Sequence, residues 1–425
     1  MSVPLPRLRT TMAVAGFLAV AIAGAGPREA AAPAGAPEVR GASPVTADLA
    51  ASVGEIEKGL EKLRGLEFKT QVATSLLSRE GVRAYLQDQM HRDYPGESLA
   101  AEQTALRYFG LLPPGRDLEP ILLDLLREQV AGLYDPERKT LFVVPGAALG
   151  TVALSHELAH ALADQNFDLA ALIEDARDDD DRALALSALM EGEATMMTAL
   201  WSIQSGNDPN VPGLAAGGEA DLYEEAEAGL ASAPPFLREA LLFPYLSGST
   251  WAAEIVRKGG GLKALDGSFR RPPESTEQIL HPERSLDPRD LPSRIDDAIL
   301  LGAAPGGSRT VKIDTMGEFA TRLLLGEPDD AGAARAADGW DGDRYILSVI
   351  ENRMSLTWIS VWDTERDAEE FREAAAAWLV RRGGPAAAGG AIRNGRTVVV
   401  SEGGAAAERA GSITSRLPQG IEILP

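Results

Sequence analysis

The sequence predicts an α+β protein with a mainly helical N-terminal region, a central region carrying two long helices, and a small α/β C-terminal domain. Three observations predict it. Apolar residues recur every three to four positions through much of the first half, β-branched and aromatic residues alternate with polar ones after Gly339, and 425 residues are too many for one ordinary core, so two or three domains are expected.

The chain starts with Arg7 and Arg9 ahead of an apolar run from about Met12 to Ala25, with small-residue cleavage options after Ala23 or Ala25. Residues 1–25 therefore read as a secretory signal peptide, and the mature protein is expected to be exported, periplasmic or extracellular. The run is shorter than the roughly 20 residues a spanning helix requires, and no later segment is long and apolar enough, so no stable membrane span is expected after signal removal. Residues 26–46, mostly Ala, Pro and Gly, are expected to form a disordered linker because they bring too little apolar surface to order themselves.

Residues 47–132 are expected to be helical, as in VGEIEKGLEKLRGL (Val53 to Leu66) and LEPILLDLLREQVAGL (Leu118 to Leu133). LYDPERKTLFVV (Leu133 to Val144) reads as a hairpin turning at Asp135-Pro136. It opens a domain expected over residues 133–300. Within it, the acidic run Glu174 to Asp181 reads as a solvated loop capping the next helix. Its spacing lacks the glycine and ligand pattern of an EF-hand calcium loop. From residue 301 to 425 a C-terminal α/β domain is expected: a strand pair over Gly339 to Thr364, a helix from about Asp367 to Arg382, and a strand at Thr397 to Glu402.

Charge and composition exclude several functions. With 63 acidic against 41 basic side chains and a formal charge of -22, nucleic acid and anionic lipid are repelled. The absence of cysteine excludes disulfides, thiolate metal sites and cysteine catalysis. A metal would have to be held by histidine and carboxylate.

The helix expected over Gly150 to Leu169 carries the pattern His-Glu-x-x-His at His156, Glu157 and His160. Residues four apart on a helix differ by about 40° and about 6 Å, so both imidazoles project from one face and converge on one ion. Zinc in such a site lowers the pKa of water toward about 7, and Glu157, one step round the helix, is placed to take the proton as general base. A third ligand is expected from the second helix, RALALSALMEGEATMMTALW (Arg182 to Trp201), which offers Glu191 and Glu193. These point about 200° apart, so only one faces the metal. Small residues Ser187, Ala188, Ala194 and Thr195 share the Glu191 face and permit close helix approach, whereas Glu193 shares a face with Leu186, Met190, Met197 and Leu200. Glu191 is the expected ligand.

With His156-Glu157-x-x-His160 and Glu191-Gly192-Glu193-Ala194, the chain resembles the gluzincin clan of metallopeptidases, in which a second helix donates a glutamate in patterns such as Glu-Gly-x-Ala. The resemblance runs over roughly Tyr134 to Pro282. It implies a zincin-like catalytic core, one Zn2+ per chain held by His156, His160 and Glu191, Glu157 as the base, and a peptide or protein substrate that pairs with a strand beside the zinc helix. Tyr245-x-x-Gly248 resembles an element of aminopeptidase-N-like gluzincins, which implies that the Tyr245 phenol stabilises the oxyanion. Pro-rich segments after the third ligand also occur in some of these enzymes, so RPPESTEQILHPER (Arg271 to Arg284) makes His281 a further candidate catalytic or substrate-binding residue. Thr195 stands where some relatives carry an aspartate that orients a zinc-bound histidine, and Asp164, four after His160, is the candidate replacement. There is no Gly-x-Met-Glu-Asn element of the kind that anchors a free amino terminus, which favours endopeptidase cleavage. His91 has no catalytic context. Two other readings stay open: a non-catalytic zinc-binding envelope or scaffold protein that keeps the zincin fold, and a role for Ala47 to Gly132 as a propeptide.

Overall fold

The computed structural model describes residues 42–129, 132–145, 150–206, 230, 232–382, 389–403 and 421–422. The expected signal peptide and residues 26–41 of the expected linker lie outside them. The protein is α+β: a mostly helical N-terminal part with a mixed sheet, followed by a C-terminal antiparallel sheet.

Strand β1 (Ala42–Pro44) comes from the stretch expected to be linker and pairs antiparallel with β2 (Ala73–Leu77). Between them runs α1 (Ala47–Arg64). It starts where the Thr46 hydroxyl accepts the Leu49 amide and stops at Gly65, whose φ of 71° suits glycine. Helices α2 (Arg79–Asp93), α3 (Ser98–Phe109) and α4 (Leu118–Gln129) follow, then β3 (Gly132–Asp135) and β4 (Thr140–Val143). The hairpin is antiparallel with Leu133 opposite Phe142, and Asp135 makes its turn by accepting the amides of Glu137 and Arg138, each at 2.9 Å. β2 runs parallel to β4, giving the order β1-β2-β4-β3. β2 interrupts a stretch expected to be helical; its partner is remote in the chain and its own pattern is weak.

Period-two alternation makes this sheet the middle of three layers. Leu141 and Val143 pack with Val53, Ile56 and Leu60 of α1, whereas Phe142 and Val144 pack with Leu86, Met90 and Leu122 of α2 and α4. After the sheet come α5 (Thr151–Phe167), α6 (Leu169–Ala176), α7 (Asp180–Ser205), α8 (Pro235–Gly259), α9 (Ala264–Arg270) and α10 (Thr276–Leu280). α5 and α7 join α1 on one face of the sheet, and the first half of α8 covers the other.

The C-terminal part adds β5 (Arg294–Ile295), α11 (Asp297–Ala303), β6 (Arg309–Asp314), α12 (Gly317–Leu325), α13 (Ala331–Ala337), β7 (Trp340–Ile350), β8 (Arg353–Trp362), α14 (Glu365–Arg381), β9 (Gly389–Asn394), β10 (Thr397–Glu402) and β11 (Ile421–Glu422). The five-stranded sheet has the order β6-β7-β8-β10-β9, and the β7–β8 turn uses Glu351 and Asn352 at φ 48° and 63°, the left-handed pair that suits a two-residue hairpin. Trp358, Trp362 and Val400 face α14 and Phe109 of α3, while Ile359, Val361 and Val399 face α11.

The acidic run Glu174 to Asp181 caps the next helix as expected and exposes Glu174, Asp175 and Asp178, but it is not a loop throughout and its last acid is not solvated. α6 continues to Ala176, Asp179 caps α7 by accepting the Arg182 amide, and Asp181 is buried, where it takes the Thr276 amide at 3.0 Å and the Thr276 hydroxyl. Asp180 lies 2.5 Å from the Lys312 ammonium, which Glu102 and Asp314 also hold. The cation and donors come from β6 and α10, so nothing local to the run announces them.

α7 and α8 meet backbone to backbone. A Cβ on Gly192 would stand 2.2 Å from the Gly248 carbonyl oxygen, and one on Gly248 would stand 2.2 Å from that of Ala188. Neither obstacle is a movable side chain. Gly248→Ala is therefore expected to force the helices apart at a cost of about 1–3 kcal/mol or more, seen as a lower urea midpoint at unchanged slope; an unaltered midpoint would refute the crossing.

Candidate metal centre

Every residue of α5 from Leu154 to Asp164 is buried, as is every residue of α7 from Ala185 to Ala194. Both helices lie inside the protein over these runs, and their buried charged and histidine side chains turn to polar partners instead of water. His156 and His160, one turn apart on α5, meet Glu191 of α7. His156 Nε2 is 3.0 Å from Glu191 Oε2, His160 Nε2 is 3.4 Å from the same oxygen, and the two imidazole nitrogens are 3.2 Å apart. Three lone-pair donors so close repel unless a proton or a cation lies between them, and this buried group could hold a metal ion.

Burial alone would push the Glu191 carboxyl up, but His160 and His156 beside it hold it at about 2. His160 is displaced upward: burial opposes its charged form, and the Glu191 carboxylate overrides that. Glu157, next to His156 on α5, is pushed up to about 8 by burial, with Glu191 adding to the rise and His156 and a backbone amide opposing it. That amide belongs to Tyr134 of β3, which donates to Glu157 Oε2 at 2.6 Å. The edge strand of the mixed sheet thus fixes one oxygen of the carboxylate.

Tyr245 is in the group. Its hydroxyl is hydrogen-bonded to Glu191, its ring stacks on His156 with centroids 6.2 Å apart at 26°, and burial together with Glu191 and Glu157 holds its pKa well above the usual phenol value. His281 is elsewhere, at the junction with the C-terminal part. Its Nε2 lies 3.0 and 3.1 Å from the two oxygens of Glu318 on α12, with Asp338 at 3.8 Å. Asp164 does not orient an imidazole. It accepts the Tyr134 hydroxyl at 2.6 Å, the Lys139 ammonium at 2.8 Å and the Leu169 amide at 2.9 Å, tying β3 to the end of α5.

Glu193 points away from the metal group to Arg64 at the end of α1, 2.7 Å from Nε, and the same guanidinium reaches Asp266 of α9 at 2.8 Å. All three are buried. α1 is locked to α7 again at Gly59, where a Cβ would lie 2.7 Å from Trp201 Nε1. Neither Arg64 nor Tyr134 stands out in the sequence as a functional residue, since a lone arginine in an amphipathic helix and a tyrosine in a hairpin carry no mark of their distant partners. Among the described residues, the remaining acidic group, Glu277, Asp290 and Asp363, already contains a cation, the Arg284 guanidinium.

Residues 308–415 match a family described as a domain of unknown function, DUF8575. That span takes in β6 to β10 and contains none of His156, His160, Glu191, Glu157 or Tyr245. No curated protein and no solved structure matches the chain.

Arg64→Met leaves Glu193 and Asp266 buried without their cation, and a loss of about 3–5 kcal/mol in urea unfolding is expected; a loss below about 1 kcal/mol would show that the pair is not structural. His281 supplies a pH dependence. The Glu318 hydrogen bond raises its pKa against the opposing effect of burial, so the contact stabilises fully below the unfolded value and fades as pH rises through the folded one. Between about pH 6 and pH 9 the wild type should lose stability relative to His281→Gln, by on the order of 1 kcal/mol; parallel profiles would exclude the linkage.

Proposed function

We propose that the protein is an exported zinc-dependent metallopeptidase that hydrolyses peptide bonds in peptide or protein substrates. The observation that carries this reading is the triangle of ligand atoms with edges of 3.0, 3.2 and 3.4 Å beside a buried carboxylate. Tetrahedral zinc with ligands at about 2.0–2.1 Å requires edges of about 3.3 Å, so the three atoms already stand at the corners that zinc would use. Two imidazoles and one carboxylate form a donor set that would suit catalytic rather than structural zinc. The resemblance to gluzincins over His156-Glu157-x-x-His160 and Glu191-Gly192 adds to this.

Zinc, when bound, supplies the positive charge that makes water a nucleophile near neutral pH and polarises the scissile carbonyl. Glu157, held by the Tyr134 amide and with its pKa lifted by burial, accepts a proton from the attacking water and passes it to the leaving amine. Tyr245 stays protonated and presents its hydroxyl beside Glu191, where it can turn to the developing oxyanion. β3 is the terminal strand of its sheet, but its four residues are buried and its Tyr134 amide is taken by Glu157, so substrate pairing with this strand is supported by the gluzincin resemblance alone. His281 takes no part in this mechanism, and its partner is Glu318. A propeptide role for residues 47–132 is disfavoured, because α1 supplies Arg64 to the buried pair behind Glu191 and β2 is an inner strand of the sheet.

Metal analysis of the full chain is expected to give one zinc, retained by Glu157→Gln and weakened by Glu191→Ala. Cleavage of unfolded casein should stop with chelator and fall by about 100-fold or more in Glu157→Gln. A wild type that stays metal-free after incubation with zinc would sink the assignment, and a zinc-loaded protein equally inert with Glu157 or Gln would leave the non-catalytic scaffold reading.

A further inference from the structure

A cavity of about 110 Å³ lies where α3 and α4, α7 and α8, and the C-terminal part come together. No residue of the metal group lines it, and its chemistry is independent of the peptidase reading. Its lining is of two kinds. Leu122 of α4 and Leu237 and Leu241 of α8 are apolar, whereas Tyr94, Glu102 of α3, Asp180 of α7 and Tyr345 of β7 form a polar group. Burial, with the charges of Glu102 and Asp180 adding to it, holds both phenols well above the usual pKa, so hydroxyls and carboxylates share one neighbourhood.

Negative charge is in excess there. Lys312 is held by Glu102, by Asp180 at 2.5 Å and by Asp314 at 3.1 Å. Arg344 stands 4.0 Å from Asp314. Even with Asp314 assigned to that guanidinium, Glu102, Asp180 and Asp181 set three lining carboxylates against one ammonium. Lys312 does not itself line the cavity, so a cation inside meets the carboxylates first. Burial and neighbouring carboxylates push Asp180 and Asp181 well above the usual range, as expected where countercharge is short. The two phenols add a second observation. Tyr94 and Tyr345 are only 4% and 5% exposed, and among the described residues neither hydroxyl has a hydrogen-bond partner. A buried hydroxyl left in that condition is costly, and a polar group placed in the cavity removes the cost.

We infer that this cavity binds a small primary ammonium ion with a short hydrocarbon chain, its head on Glu102, Asp180 and the two phenol oxygens and its chain against Leu122, Leu237 and Leu241. An ammonium out of water is stable only beside anions, and here they are in surplus. A carboxylate or phosphate would meet like charge. An inorganic cation would leave the apolar walls uncovered, and a neutral alcohol would leave the charge unrelieved. An apolar cavity of about 150 Å³ accommodates benzene, so this one takes a chain of about four carbons. The same chemistry belongs to a free amine and to the end of a lysine side chain.

Butylammonium, ammonium, butanol and butyrate can each be titrated into the full chain at one ionic strength and followed by calorimetry and thermal unfolding. Butylammonium is expected to bind about 10-fold or more tighter than ammonium, as burial of a butyl chain gives, with butanol and butyrate weaker still. Ala320→Phe, which fills the cavity from α12, should abolish the binding. Tyr345→Phe removes one unpartnered hydroxyl and guards against misfolding of the first variant; it should weaken butylammonium by about threefold or more without lowering the Tm of the protein alone. Nα-acetyl-lysine amide separates the two sources: binding that Ala320→Phe abolishes assigns the ammonium to a lysine side chain, exclusion assigns it to a free amine, and either supports the site. Absence of butylammonium binding, or butanol binding as tightly, would overturn it. So would butylammonium binding unchanged in both variants, which would mark general attraction to a chain of charge -22.

Discussion

The contact on which the site depends is the backbone crossing of α7 and α8 at Gly192 and Gly248. It sets the separation of the two helices at the smallest value that carbonyl oxygens permit. Glu191 is the residue before one glycine, and Tyr245 stands one helical turn before the other. With the separation fixed, the phenol reaches the carboxylate and the ring lies on His156. The glycine of the Tyr-x-x-Gly element therefore has a mechanical meaning here. It is the position at which α8 touches α7, and side chains of ordinary size would hold the tyrosine away.

A second constraint fixes α5 in relation to the sheet. Glu157 is tied to the Tyr134 amide, the Tyr134 hydroxyl is tied to Asp164 one turn beyond His160, and Asp164 also holds Lys139 of the hairpin. Edge strand and the helix carrying His156 and His160 are thus tied together by three side-chain contacts. Behind α7, Arg64 between Glu193 and Asp266 does the same for α1 and α9. The buried charges are costly alone and stable only together, which makes the relative placement of these helices specific as well as tight.

The parts of this arrangement that were legible in the sequence are those that depend on spacing within one element. A four-residue separation placed His156 and His160 together, and the small residues around Glu191 distinguished it from Glu193. The hairpin at Asp135-Pro136 and the strand pair after Gly339 showed in turn chemistry and alternation. What was not legible depends on partners remote in the chain. β2 is a strand because β4 lies beside it, the end of the acidic run is drawn inward because Lys312 and Thr276 come to Asp180 and Asp181, and Arg64 looks like any charged helix end until Glu193 is placed opposite. His281 shows the converse, since proximity in sequence to the site suggested a role, and the fold carried it to Glu318.

The span of the Arg64, Glu193 and Asp266 triad has a consequence for biogenesis. The group of His156, His160 and Glu191 lacks its full support until Asp266 has been synthesised, some two hundred residues after Arg64. α5 itself precedes Asp266 by about a hundred residues, so at about 5–20 residues per second its two histidines exist for about 5–20 s without their surroundings. Contacts of such long range fold late and slowly. The nascent chain therefore passes through an interval in which both histidines are made while the buried ion pair that backs Glu191 is still incomplete.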